Sequence, residues 1–278
     1  MTSHGQVVIV TGGASGIGRA LCEELGRRGA TIVVADIQFE VAQSVAAGIN
    51  ASGGSASAVH VDVRQEADVR AVVDTTVRDH GRLDCMFNNA GIGVGGEIRE
   101  LTTEHWRTVI DVNLIGVING VTAAYPVMLR QRAGHIVNIA SLAGLISSPC
   151  MGPYATTKAA VVSLTSALRA EGEAFGVRAS VVCPGFVDTK IFDSAIGVRY
   201  DKQDLLDKMG LPLLPVTEAA LAILRGVERN QRIIVFPWSA RLLWWLTRFS
   251  PWLLTPIQRR RVARLRSVRR SHDSRAVL

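Results

Sequence analysis

Seven short runs rich in β-branched residues recur along this chain, at 6–11, 31–36, 56–62, 84–88, 135–141, 178–183 and 232–236. Longer amphipathic stretches separate them, among them 16–28, 66–80, 103–130 and 153–175. Strands that alternate with helices predict a parallel sheet, because a crossover helix is what returns the chain for parallel pairing. Such a sheet is covered on both faces, so the expected class is α/β. With 278 residues, 48% of them hydrophobic, the chain can bury one sizeable core, and a single domain is expected. The alternation breaks at 187–215, which is polar, mixed in charge and ends in L-P-L-L-P.

The first strand runs directly into T-G-G-A-S-G-I-G, residues 11–18. Glycines permit a tight turn and a close backbone approach to a pyrophosphate, while the helix that follows directs free N–H groups and its positive dipole end at the phosphates. Gly12, Ser15, Gly16, Ile17 and Gly18 are therefore candidate cofactor contacts. Asp36 ends the second strand, 18 residues after Gly18. A carboxylate there accepts hydrogen bonds from ribose hydroxyls and repels a 2′-phosphate, and neither Ser15 nor Asp36 is basic, so NAD is expected over NADP. Arg19 is the one nearby cation able to favour phosphate.

Tyr154 and Lys158 stand four residues apart in G-P-Y-A-T-T-K, a spacing that returns both to one face of a helix. Pro153 suits the first turn of that helix. A nearby cation favours the phenolate and is expected to lower the tyrosine pKa from about 10, making a usable general base. Ser141 ends a strand thirteen residues upstream, where its hydroxyl can donate to a substrate oxygen as charge develops. Asn113 lies in D-V-N-L within the long stretch 103–130.

In order and spacing these motifs resemble the classical short-chain dehydrogenase/reductase family, over roughly residues 6–236. The resemblance implies a Rossmann-type, doubly wound, seven-stranded parallel sheet. It implies Tyr154 as general acid–base, Lys158 as a second contact to the nicotinamide ribose, and Ser141 beside them. Asn113 resembles the family's fourth catalytic residue, which distorts its helix and anchors a water in a proton relay through the lysine. Asp62 and Val63 resemble the residues that hold the adenine. Asn89, Ala90 and Gly91, with Asn88, resemble the N-N-A-G motif that braces the sheet and floors the cofactor site. Pro184 and Gly185 resemble the pair lining the nicotinamide face, with Val187 beside them and Thr189 set to bond the carboxamide. The segment 187–215 looks like the substrate loop, and a homodimer or homotetramer packed through 103–130 and 153–175 is implied.

The expected substrate pocket comprises 93–96, 142–152, Phe186 and the loop, and its pieces are largely apolar. That favours the secondary alcohol or ketone of a hydrophobic, steroid-, retinoid- or lipid-like molecule. An NADPH-dependent carbonyl or 3-oxoacyl reductase is the same-fold rival; a nucleotide-sugar epimerase or dehydratase and a membrane-docked NAD-binding scaffold are the others. The cysteines Cys22, Cys85, Cys150 and Cys183 form no C-x-x-C pair and no two histidines stand at i, i+4, so neither a metal site nor a disulfide framework is expected. A cytoplasmic location is expected: the short apolar run 7–10 reads as a strand, not a signal peptide.

After residue 236 the character changes, which divides the chain into a catalytic part, 1–236, and an extension, 237–278. From Arg232 onward there are eleven arginines and one acid, Asp273, so this stretch carries +10 and the first 231 residues −3 of the net +7. Four of the five tryptophans lie between Trp238 and Trp252. On a helical wheel Trp238, Leu242, Leu243, Trp245, Leu246 and Phe249 share an apolar face. Arg241, Arg248, Pro251 and Pro256 interrupt the run short of a bilayer span, so peripheral contact of 238–270 with a membrane surface is expected, with packing on the domain or a subunit neighbour as the alternative. No nucleic-acid partner is expected, since no DNA or RNA module accompanies the arginines.

Overall fold

The computed structural model describes residues 4–189, 191, 196–197, 213–250, 252, 255–256, 258–260, 262–263 and 266. Most of the expected substrate loop and much of the extension after residue 250 lie outside the described residues. The main sheet has seven strands: β1 Val7–Thr11, β2 Thr31–Asp36, β3 Ser55–His60, β4 Cys85–Asn88, β6 Gly134–Ile139, β7 Val177–Pro184 and β9 Ile233–Phe236. Each falls within two residues of its sequence expectation at either end. A two-stranded ribbon, β5 Val94–Gly95 with β8 Ile196–Gly197, stands apart from it.

The spatial order is β3-β2-β1-β4-β6-β7-β9, and every pairing is parallel. The order reverses between β1 and β4, which creates a crevice at the carboxyl ends of the strands. This is the doubly wound α/β arrangement, in one domain.

Alternation along the strands divides the core cleanly. Val8, Val10, Ile32, Val34 and Phe87 face α1 Gly16–Arg27, α2 Phe39–Ala51 and α7 Val216–Glu228. Ile9, Val33, Met86, Ile136 and Val181 face α3 Glu66–His80, α5 Gly116–Gln131 and α6 Gly152–Gly172. Both faces are dry, which accounts for strands that read as continuous apolar runs rather than alternating ones.

The stretch expected as one helix over 103–130 is three pieces: α4 Thr103–Ile110, a π-helical turn Asp111–Ile115, and α5. By length and composition Thr103–Gln131 is apolar enough to cross a membrane, but half of its most apolar window is buried in this core. Buried polar side chains cross-link the layers. Asn88 Nδ2 donates to Asn138 Oδ1 at 2.8 Å, and Asn138 Nδ2 donates to Thr165 Oγ1 on α6 at 2.9 Å. On the far side of Asn88, its Oδ1 faces Gly120 of α5, where an added Cβ would collide with it. The helix lies this close to β4 only because position 120 has no side chain.

Gly120→Ala should therefore lower stability by about 1–3 kcal/mol, the usual cost of forcing a methyl group into a packed site. Urea unfolding should show an earlier midpoint at unchanged slope. An unchanged midpoint would mean that α5 can move off the sheet at no cost.

Candidate active site

Each βα junction at the crevice contributes one part of the site. β1 ends at Thr11, whose buried Oγ1 donates to Phe87 O at 3.3 Å and accepts the N–H groups of Asn89 at 3.0 Å and Ala90 at 3.2 Å. Asn89 Nδ2 returns two hydrogen bonds, to Thr11 O at 2.9 Å and Gly12 O at 3.1 Å. The glycine turn and the segment Asn89–Gly91 are thus one bonded unit. Thr11 was not among the residues expected from the sequence, although its place as the last residue of β1 before the glycines was the available signal.

Gly16 opens α1 at φ +52, a conformation that disfavours a side chain. The N-cap residue Ser15 is exposed and makes no side-chain cap bond, and the first turn of α1 carries no acid. Its free N–H groups and positive dipole end face the crevice, the chemistry an anionic pyrophosphate requires. Ile17 and Gly18 follow on the same turn. Asp36 is buried at the tip of β2; Oδ2 accepts Ala14 N–H from the glycine turn and Oδ1 accepts Gln38 N–H, both at 2.9 Å. The donor set therefore fits a dinucleotide laid across the switch point, with phosphates at α1 and a ribose at Asp36.

Asp62 lies just beyond β3 and is held by Arg64, whose Nε and Nη2 reach both carboxylate oxygens at 2.6–3.0 Å. That guanidinium keeps Asp62 below the ordinary carboxylate range. Val63 beside it is buried, and its carbonyl accepts Asn119 Nδ2 at 2.9 Å. On the other side of the crevice Pro184 and Gly185 close β7, and Gly185 N–H donates to Phe236 O at 2.8 Å. Val187 is buried and bridges Leu214, and Thr189 stands against the glycine turn, 3.4 Å from where a Cβ at Gly16 would lie.

The four expected catalytic residues meet in one corner. Asn113 is fully buried in the π-helical turn; its Oδ1 accepts Ile92 N–H at 2.8 Å and its Nδ2 donates to Ile92 O at 2.9 Å. An added Cβ on Gly91 would lie 3.2 Å from Asn113 Oδ1 and 3.4 Å from Lys158 Nζ, so amide and ammonium flank the same glycine. Lys158 is buried and donates to Ile139 O at 2.9 Å. Its Nζ lies 5.6 Å from the Tyr154 ring centroid. Ser141 caps the short helix Leu142–Gly144, accepting Ala143 N–H at 3.1 Å, and its hydroxyl also hydrogen-bonds the Tyr154 phenol. Cys183 lines this corner as well. Its thiol, pushed up to about 12 by burial, takes the Ser141 backbone N–H and faces Lys158.

One electrostatic expectation is reversed. Burial raises the Tyr154 pKa above its usual value, and the Ser141 hydrogen bond only partly offsets this. The same burial lowers Lys158 to about 8, so the cation expected to stabilise the phenolate is itself penalised. In the cofactor-free chain, Tyr154 is a neutral phenol at pH 7.

Beneath the helix α8 Trp238–Phe249 runs a groove of about 550 Å³ lined by Leu145, Ile146, Val162, Ile233, Trp244 and Arg248. It touches neither Tyr154 nor Lys158, so this groove is not the chemical centre. Ala240 is buried and Leu243, Trp244 and Thr247 are half-buried, so this side of α8 packs on the domain. Leu243, which the helical wheel groups with Trp238 and Trp245 on one broad apolar face, lies on its inner side. Trp238, Leu242, Trp245, Leu246 and Phe249 face out, between 50% and 77% exposed.

The chain matches the family profile described as short chain dehydrogenase over residues 6–196. It belongs to the short-chain dehydrogenase/reductase family. A short chain dehydrogenase/reductase from Burkholderia phymatum, solved in complex with NAD, superposes with a TM-score of 0.82 at 32% identity, covering 91% of this chain and 96% of that one. The 2,5-dichloro-2,5-cyclohexadiene-1,4-diol dehydrogenase of Sphingobium indicum is 40% identical over 194 residues, 69% of this chain and 76% of that protein. The probable oxidoreductase EphD of Mycobacterium tuberculosis is 35% identical over 266 residues, 92% of this chain and 45% of that protein, so the chain spans about half its length. That match takes in too much of the chain to stop before α8, whereas the family profile ends at 196. As a member of the family, the protein is an oxidoreductase of CH–OH groups that uses a nicotinamide cofactor.

The raised phenol gives the expected role of Tyr154 a test in the pH dependence of the two directions. With Tyr154 as the expected acid–base, alcohol oxidation would draw on the phenolate and should accelerate as pH rises from about 6 to about 9. Carbonyl reduction needs the neutral phenol and should hold level at neutral pH, falling only at the alkaline end. A level oxidation profile in kcat/KM over that range would remove Tyr154 ionisation from the rate.

Proposed function

We propose that the protein is an NAD-dependent oxidoreductase interconverting a secondary alcohol and its ketone on a hydrophobic, steroid-, retinoid- or lipid-like substrate. The observation that carries this reading is the meeting of Ser141, Tyr154, Lys158 and Asn113 in one corner at the carboxyl edge of the sheet, beside the glycine turn. Held at the glycine turn, Asp36 and Lys158, a bound nicotinamide would supply the two-electron hydride chemistry in either direction. Tyr154 Oη takes the alcohol proton in oxidation and returns it in reduction. Ser141 Oγ donates to the substrate oxygen as negative charge builds there. Lys158 holds the ribose hydroxyls and favours the phenolate, while Asn113 anchors a water that relays protons to the lysine.

The preference for NAD rests on Asp36, whose buried carboxylate repels a 2′-phosphate. Arg19, the cation able to counter it, is engaged with Glu23 at 2.7 Å. The apolar character of the pocket and the diol named for one relative favour a hydrophobic secondary alcohol. Exposed Ile115 and Ile118 on the outer side of the π turn and α5 favour assembly as a homodimer or homotetramer through this region and α6. The outward face of α8, with Arg241 and Arg248 beside it, favours contact with an anionic membrane surface.

A screen of hydrophobic secondary alcohols, read as NADH absorbance, should identify a substrate oxidised with NAD in preference to NADP. Tyr154→Phe should then lose activity by about 10²–10⁴-fold while still binding NADH. Turnover within threefold of the parent would exclude Tyr154 as acid–base. The full chain should sediment with vesicles rich in phosphatidylserine, less so as salt shortens the Debye length; no sedimentation at low salt would end the membrane reading.

A further inference from the structure

The groove beneath α8 has a direction. The chain leaves β9 at the catalytic edge and α8 doubles back along it, because Arg232 and Ile233, where the strand begins, line the same groove as Trp244, Thr247 and Arg248, where the helix ends. Residues 232–236 advance about 13 Å along a strand, and residues 238–248 about 15 Å along a helix. Arg232 and Arg248 therefore fall at one end of the groove, away from the catalytic edge. The opposite wall comes from α6. Val162 and Ser166 follow Lys158 at four-residue spacing, so one stripe of that helix runs from the catalytic corner down into the groove. Arg169, about one turn past Ser166, donates to Asn230 O at 3.1 Å, which sets the lower end of the stripe beside the start of β9.

The two ends differ in chemistry. Towards the catalytic edge the wall is Leu145 and Ile146, just after the turn Leu142–Gly144 that Ser141 caps. Leu145, Val162 and Ile233 pack partly buried against the core, and the half-buried Trp244 lines the groove from the helix side. At the far end stand the two arginines, both exposed. Neither guanidinium has a hydrogen-bond or ion-pair partner among the described residues, and no Asp or Glu is among the described residues that line the groove. Its volume of about 550 Å³ is that of a small-molecule pocket.

We propose that this groove binds a fatty carboxylate, with the head at Arg232 and Arg248 and the chain on Leu145, Val162 and Ile233 beside Trp244. A guanidinium fork matches a carboxylate with two parallel N–H donors. The chain removes from water an apolar surface that the fold leaves open. The ligand is held and not converted, because neither Tyr154 nor Lys158 lines the groove. The site is thus separate from the catalytic corner and does not rest on the substrate proposed above.

Bromine quenches an indole on contact, so Trp244 reports the site without turnover. Dodecanoate brominated at mid-chain, kept below its micelle concentration, should quench the fluorescence of the full chain saturably, with one molecule bound per chain. Trp244→Phe should remove the saturable part. Quenching that survives the change would place the ligand on the outward tryptophans or in the substrate cleft and would overturn the proposal. Arg232→Gln and Arg248→Gln, both at exposed positions, should each raise the half-saturating concentration by roughly two- to fivefold, the range one exposed ion pair supports. Two measurements need no variant. Salt should weaken binding of the carboxylate. Dodecanol brominated in the same way lacks the charge and should need roughly tenfold more to half-saturate, about the product of two such contacts. A carboxylate that binds no better than the alcohol, or that neither arginine affects, overturns the assignment. So does a sedimenting mass that falls as the ligand is added, because a second copy of the chain would then be what fills the groove.

Discussion

A parallel sheet covered by helices on both faces leaves one place for chemistry. Its backbone groups are paired within the sheet, its faces are dry, and successive strands all point the same way. Every helix therefore begins, and every strand ends, at one common edge. Around the reversal between β1 and β4 that edge gathers the glycine turn, Asp36, the Asn89–Gly91 segment, Ser141 and Pro184 from five different strand ends. No long loop is needed to bring them together, and Thr11 binds two of these segments to each other with a single hydroxyl.

The same burial that makes the edge orderly makes its polar groups expensive. Lys158 holds one carbonyl and surrenders part of its basicity, down to about 8. Asn113 spends both ends of its amide on the backbone of Ile92. These residues are satisfied by main-chain groups at fixed positions, so the corner is preorganised before any ligand enters. The phenol is the exception, raised by desolvation with only Ser141 pulling against it. A cationic nicotinamide ring is the kind of charge that would reverse that balance.

Much of this was legible in the sequence because periodicity and glycine placement act locally. The seven strands, the glycine turn and Asp36 are all readable from a few neighbouring residues. The π-helical turn at Asp111–Ile115 was anticipated only through the resemblance, which gives Asn113 a distorted helix; the apolar pattern of 103–130 alone reads as one helix. The direction of the Tyr154 shift was missed for another reason: spacing reports that Lys158 is near, but not how deeply both are buried. The wheel grouped Leu243 with Trp238 and Trp245 on one face, but it cannot tell which half of a broad stripe will find a partner, and Leu243 is on the half that packs on the domain. Arg266 pairs with Glu97 at 2.8 Å across 169 residues of chain, and no local rule connects them.

The direction of β9 has a consequence for how proteins of this shape acquire new parts. β9 runs parallel to its neighbours, so the chain leaves the sheet at the catalytic edge, while β1 enters at the opposite one. Residues appended at the carboxyl end start out beside the pocket, as the step from Phe236 into α8 does here. Residues appended at the amino end start out a full strand length away. A segment added at one terminus starts at the edge where the catalytic corner lies; one added at the other starts at the far edge of the sheet.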